Sequence, residues 1–181
     1  VIAFEKANPG KVTYATPGAG TSLHIGMEQI AARLGIKLTQ VPFKGAAETN
    51  AAVLGGHTML QVDSSGWRPL VEAKQLRLLA IWTAERSRNW PDAPTLKELG
   101  LPFVFDSPFG VAGPKGMDPA IVKKLDETFK KALGDPGVIQ ALARFDMFPR
   151  YLDTAGYVKT LAELSAQEKS ALDTIGLAKK E

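Results

Sequence analysis

The sequence predicts an α/β fold with a parallel sheet, and three observations predict it. A strand-like run, a turn of small residues and a helix follow one another three times before residue 80, at "KVTYAT", "LTQVPF" and "HTMLQV". Strands alternating with short helices argue for parallel pairing through right-handed crossovers. The 181 residues, 45% of them hydrophobic, are enough to bury a real core.

Each element can be justified in turn. "VIAFEKANPG" sets apolar Val1, Ile2 and Phe4 beside Glu5 and Lys6, and Asn8-Pro9-Gly10 stops the run, which is the pattern of a helix tail. Lys11 to Thr16 is the first strand. Leu23, Met27, Ile30, Ala31 and Leu34 form a helical stripe that ends at Gly35. After the strand "LTQVPF" and the turn "KGAAE", a helix is expected from about Thr49 to Leu54; after "HTMLQV" and "DSSG", another around Trp67 to Ala73. "LRLLAIWT" reads as a fourth strand. From Arg86 to Leu101 the texture becomes a proline-rich loop with one short helix in "WPDAPTLKELG", followed by broken extended chain in "FVFDSPFGVAGP".

Beyond that point the chain is mostly helical. Asp118-Pro119 starts a helix with Ile121, Leu125, Phe129 and Leu133 on one face, Asp135-Pro136 starts a second, and a third runs from Thr154 to about Ile175. "FPRYL" reads as one short strand. Residues 1–104 are therefore expected to form one α/β lobe, and residues 105–181 a segment that packs on something else.

Composition excludes several classes. The net charge of +3 and pI near 9.1 come from interspersed charges without a dense basic run, so a nucleic-acid function is unsupported. No apolar run approaches the ~18 residues of a membrane span, and no basic-then-apolar leader opens the sequence; the chain as given is expected to be soluble. Zero cysteines remove disulfides, thiol nucleophiles and cysteine metal sites, and fit periplasm and cytosol equally.

The first candidate site is the turn "PGAGTS" between the first strand and its helix. Gly18 and Gly20 permit backbone conformations closed to other residues, and Thr21 or Ser22 can cap the helix. The helix start then offers unpaired N–H donors and a partial positive charge, so an anion would be held by Ala19 to Ser22, just beyond the strand end at Thr16. A dinucleotide loop fits poorly, because Leu23 stands where a third glycine belongs and no acid ends the next strand. A phosphate-binding P-loop fails as well, since the only Gly-Lys pair is Gly10-Lys11, ahead of the strand.

Two further strand ends qualify, because ligands of open α/β sheets sit beyond the carboxyl ends of strands. Lys44 and Gly45 follow one: Lys44 could meet a second carboxylate or be a solvated charge. Asp63 and Ser64 follow the other, where Asp63 could accept from a ligand or cap the next helix. Catalytic patterns are thin, with no G-x-S-x-G and no H-E-x-x-H. His24 and Glu28, four apart, read as a surface pair for want of a third metal ligand. His57 reads as exposed, and Trp67, Trp82 and Trp90 as packing residues.

The order of "ANPGKVTYATPGAGTSLHI", "VPFKG", "LGGHTMLQVD", "LRLLAIWTAERS", "PDAPTLKELG", "FGVAGPKGMDPAIVKKLDETFKKAL" and "YVKTL" resembles the substrate-binding receptors of tripartite tricarboxylate transporters, the Bug family, from residue 1 to about 176. The resemblance implies a periplasmic two-lobed fold of the type II binding-protein kind that closes on a small carboxylate. It implies no enzyme activity, no cofactor and no metal. Carried over by position, the hydroxyl-rich turn falls on Gly18 to Ser22, the Y/F-K-G turn on Phe43 to Gly45, the strand-end acid on Asp63, and a cleft-lining stretch on Ser107 to Gly110, including Ser107 and Phe109. Ala46, Ala47 and Glu48 depart from the family's glycines and proline and add a charge near the cleft; Met59 and Pro108 depart as well.

The family's N-terminal segment, with its signal peptide, has no counterpart here. The expectation is one complete lobe plus the C-terminal segment of the other, with apolar helix surface left exposed and dimerisation or segment exchange as a consequence. The leading function is a periplasmic receptor that delivers a carboxylate to membrane transporter subunits, the solute binding between lobes. The alternatives are a sensory receptor engaging a signalling partner and a nucleotide-dependent α/β enzyme.

Overall fold

In the computed structural model, which describes residues 1–105 and 109–176, the first strand is the centre of the sheet. Strands β1 (Thr13–Thr16), β2 (Thr39–Pro42) and β3 (Leu60–Gln61) are parallel in the order β2-β1-β3. Tyr14, Ala15 and Thr16 have no exposed surface, as a strand flanked on both sides and covered by helices requires. The helices are α1 (Ile2–Ala7), α2 (Ser22–Leu34), α3 (Ala46–Leu54), α4 (Arg68–Glu72), α5 (Pro119–Leu133), α6 (Pro136–Ala143) and α7 (Thr154–Thr174). The chain divides into two compact units, Val1–Asp106 with Glu168–Glu181, and Ser107–Gln167.

The first unit is built around α2. Its buried face carries Ile25, Met27, Ile30 and Ala31, and Met27 and Ile30 join Tyr14, Leu96 and Leu101 in the core, with Trp82, Phe103 and Phe105 packed against it. Each such side chain contributes ~1.5–3 kcal/mol by leaving water. α2 approaches that layer closely: a Cβ at Gly26 would meet the Trp82 ring at 2.6 Å. The helix ends at Gly35, whose φ of 62° lets the chain turn while the Gly35 and Ile36 N–H groups pair with the last carbonyls.

Several expected elements differ. α3 begins at Ala46, three residues before the expected start, because Gly45 opens the helix and Glu48 folds back over its first turn. "LRLLAIWT" is not a strand; only Ile81 bridges to Thr95. The facing chain carries Pro91 and Pro94 and turns away at Thr95, so no ladder can extend. "TLKELG" is a single turn instead of a helix. Thr95 Oγ1 accepts from the Glu98 N–H at 3.2 Å, and Glu98 Oε2 accepts from the Thr95 N–H at 2.7 Å, a capping box. The Leu101 N–H already closes on the Leu96 carbonyl at 2.9 Å, so the start and stop signals leave room for one turn only. "FPRYL" forms no strand either; Asp146 adopts φ 58° just before it.

Arg86 completes that turn. Its Nε donates to both Glu98 oxygens, at 2.9 and 3.0 Å, and Nη1 donates to the Pro91 carbonyl at 2.6 Å. The guanidinium, with the Thr95 N–H, holds the Glu98 carboxyl down from its ordinary value to about 2. A carboxyl depressed by folding stabilises the fold above the ordinary carboxylate range, and that stability is lost as pH falls toward about 2. Glu98→Gln is therefore expected to lower the urea midpoint at pH 7, with the gap to wild type narrowing between about pH 4 and 2. A gap that stays constant over that range would refute the linkage.

In the second unit each helix start has an aspartate acceptor. Asp118 accepts from the Ala120 N–H at 2.7 Å, Asp135 from Gly137 at 2.8 Å and Asp153 from Gly156 at 2.7 Å. Tyr151 donates to Asp126 Oδ2 at 2.9 Å with Lys130 over its ring, which ties α5 to the segment before α7. Ile121, Leu125 and Phe129, the predicted apolar stripe of α5, remain exposed.

Candidate functional site

All three strands of a parallel sheet end on one edge, and the chain reverses direction there. β2 lies on one side of β1 and β3 on the other, so the edge beyond Thr16 is a topological switch point, the place where open α/β sheets bind their ligands. Thr16, Gly18, Ala19, Gly20, Thr21, Ser22, Lys44, Gly45, Asp63 and Ser64 all lie in the turns of that edge. Phe109 lies in the other unit and is exposed; Ser107 lies outside the described residues.

The turn after β1 is fixed around one carbonyl. Gly18 O accepts from Thr16 Oγ1 at 3.1 Å, from Thr21 Oγ1 at 3.0 Å and, at longer range, from Gln40 Nε2. Gln40 Nε2 also donates to Thr16 Oγ1 at 2.9 Å, so β2 braces the turn from the side. Thr16 is fully buried, and its hydroxyl, used on both sides, supports the turn.

Thr21 caps α2, its hydroxyl accepting from the His24 N–H at 3.4 Å. His24 reaches back in exchange: Nδ1 accepts from the Gly20 N–H at 3.0 Å. This is a capping box with an imidazole in place of a glutamate, and it needs Gly20 at its φ of 74°. Two expectations change. The Gly20 N–H is already used, and the expected His24–Glu28 pair is present, with Nε2 3.9 Å from Glu28 Oε1, but His24 is buried where a surface position was expected. Glu28 accepts from Tyr14 OH at 2.5 Å, and burial together with that carboxylate raises the Tyr14 phenol.

The donors left over are those of Ala19, Thr21, Ser22 and Leu23, which meet no acceptor among the described residues. They stand at the positive end of a thirteen-residue helix with no acid in its first turn. The start of α3 differs, since Glu48 Oε2 already accepts from the Lys44 N–H at 3.0 Å. Asp63 is also engaged, its Oδ1 on the Ser64 N–H at 2.7 Å and its Oδ2 near Gln61. Burial raises its carboxyl above the ordinary value. Gly66 fits only as glycine, because a Cβ would run into Asp63 and, at 2.7 Å, Ala46; Asn50 Nδ2 donates to its carbonyl at 3.1 Å. Asp63 and Ser64 thus form a turn wedged against the start of α3. Of the candidate donors, only the α2 start is both open and free of negative charge.

Sequence reasoning missed His24 and Gln40. The T-x-x-H spacing after a glycine turn was the signal for the first, and a lone glutamine inside an apolar strand the signal for the second. No described helix is long and apolar enough to cross a membrane. No cluster of three His, Asp or Glu residues able to hold a metal occurs among the described residues.

The family model described as "Tripartite tricarboxylate transporter family receptor" matches residues 1–177. The Cupriavidus necator "UPF0065 protein in gbd 5'region" is 47% identical over 178 residues, which cover 98% of this chain and 54% of that protein. The solved structure "R. palustris Rpa4515 with adipate" superposes with a TM-score of 0.89 at 26% identity, covering 98% of this chain and 60% of that one. A second, "Structure of a periplasmic transporter", gives 0.83 at 29% identity, covering 97% and 58%. The chain spans about half the length of the curated relatives it matches.

Proposed function

We propose that this chain, which belongs to the tripartite tricarboxylate transporter receptor family, is part of a periplasmic receptor that captures a small carboxylate at the start of α2 for transporter subunits in the membrane. The observation that carries this reading is the α2 start itself: N–H groups of Ala19, Thr21, Ser22 and Leu23 without acceptors, at the switch point of the sheet, with no acid in the first turn. A hydrogen bond to a charged group contributes ~1.5–3 kcal/mol and the helix end ~0.3–1 more. Two or three such bonds suffice for micromolar binding once a second wall excludes water. The adipate in the Rpa4515 structure supports a carboxylate as the ligand class.

In this reading residues 1–104 are the lobe that carries the anion site, and the helical segment from residue 105 belongs with the other lobe. Ser107 and Phe109 are assigned to the wall that closes over the ligand. Lys44, Gly45, Asp63 and Ser64 frame the neighbouring turns, and closure of the lobes presents the loaded form to the transporter.

The test is calorimetric titration with mono-, di- and tricarboxylates of the chain Val1–Glu181, alone and extended to the length of its relatives. Micromolar binding by the extended form supports the receptor. Thr21→Ala with Ser22→Ala is expected to weaken every carboxylate alike, by about tenfold, because the Thr21 hydroxyl, on Gly18 O and the His24 N–H, holds the turn that presents the backbone donors. Unchanged affinities in that double variant would remove the α2 start as the site.

A further inference from the structure

Of the helices that begin at the carboxyl edge, α2 and α3 each fold their third residue back onto the N–H one position before the cap. In α2 that residue is His24, whose acceptor nitrogen Nδ1 carries no proton, so the ring adds no charge. In α3 it is Glu48, whose carboxylate takes the Lys44 N–H at 3.0 Å ahead of the Gly45 cap. Thr16 pairs with Pro42, and the Phe43 N–H donates to the Thr16 carbonyl at 2.9 Å, so the two turns leave from adjacent strand ends, about 4.8 Å apart. A carboxylate held at α2 therefore has an exposed anion along the next turn.

We propose that Glu48 is a specificity-determining residue, which fills the start of α3 and repels a second carboxylate, so that the site takes small acids with one carboxylate and an uncharged far end. Like charges a few ångströms apart in partly wet surroundings repel strongly enough to decide between ligands, and the acid acts against the wrong one without contacting the right one. Asp63 is a further acid, engaged by its own turn and by Gln61, and the exposed Lys44 of the same turn is the cation that works against Glu48. The inference rests on the receptor reading with the ligand at α2.

The test compares butyrate and succinate by calorimetric titration on wild type, Glu48→Gln and Glu48→Ala, in the chain Val1–Glu181 and in the same chain extended to its relatives' length. Wild type is expected to prefer butyrate. Glu48→Gln should raise succinate affinity about tenfold while butyrate changes less than about twofold. Glu48→Ala should gain at least as much, because it also frees the Lys44 N–H. Glu48 is exposed, so both variants are expected to fold, which far-UV circular dichroism checks. Equal wild-type affinities for the two acids, or a preference unmoved by either substitution, would overturn the inference alone. If neither acid bound to any form, the receptor reading would fall and this inference with it.

Discussion

Glu5→Ala is expected to cost the first unit about 2–3 kcal/mol, a sizeable share of the ~5–15 kcal/mol that holds a typical domain together. Glu5 is 1% exposed, yet it sits on a two-turn helix near the start of the chain. Its oxygens accept from two backbone N–H groups: Val12 at 2.8 Å, and Gly10. These are the residues that lead into β1, the central strand, so the carboxylate ties α1 to the entry of the sheet. Alanine would leave the buried Val12 N–H without an acceptor, a loss of ~1.5–3 kcal/mol when the lost acceptor is charged, while the Gly10 N–H keeps the Lys37 carbonyl at 3.2 Å. Glutamine keeps one acceptor oxygen and points its amide hydrogens at the other N–H, so Glu5→Gln should recover only part of the loss. Urea unfolding followed by circular dichroism measures this. An alanine variant within about 1 kcal/mol of wild type would mean that water replaces the carboxylate, and that β1 does not depend on α1.

That tie shows what the sequence could and could not reveal. The crossover pattern was legible, because strand and helix periods alternate cleanly and Gly35 marks where a helix stops. So was the run of backbone donors at the turn from Gly18 to Ser22, since any strand, turn and helix would present them. Glu5, His24 and Gln40 were not legible in their roles. Each is a polar side chain whose work is to satisfy one or two backbone groups, and periodicity carries no trace of such pairings. Glu5 read only as part of a helix tail beside Lys6, because the N–H donors it serves lie five and seven residues ahead, across a proline turn. "LRLLAIWT" failed for the converse reason. Its own residues suit a strand, but pairing is decided by the partner, and two prolines in the facing segment leave a single bridge.

His24 yields the prediction that separates a positioned site from a merely capped helix. Its Nδ1 holds the Gly20 N–H at 3.0 Å while its own N–H meets Thr21 Oγ1, and Thr21 Oγ1 donates to Gly18 O. The ring thus fixes the Gly20 end of the segment that contains Ala19, and the Thr21 cap fixes the Gly18 end. Without it, the free donors of Ala19, Thr21 and Ser22 would have to be ordered by the ligand, at an entropic cost set against binding. His24→Leu keeps most of the buried volume but has no acceptor, and is expected to weaken carboxylate binding by about tenfold, or ~1.4 kcal/mol. His24→Asn loses the ring but sets an oxygen close to where Nδ1 stood, and should recover most of that affinity even though it packs less well. Stability is expected to run in the opposite order, with Asn below Leu, since the side chain is largely buried. Calorimetric titration with butyrate, beside urea unfolding of the same two variants, reads both orders. If affinity followed stability, Leu binding better than Asn, the role of His24 would be packing alone, and the turn would owe its shape to Gln40 and the threonines.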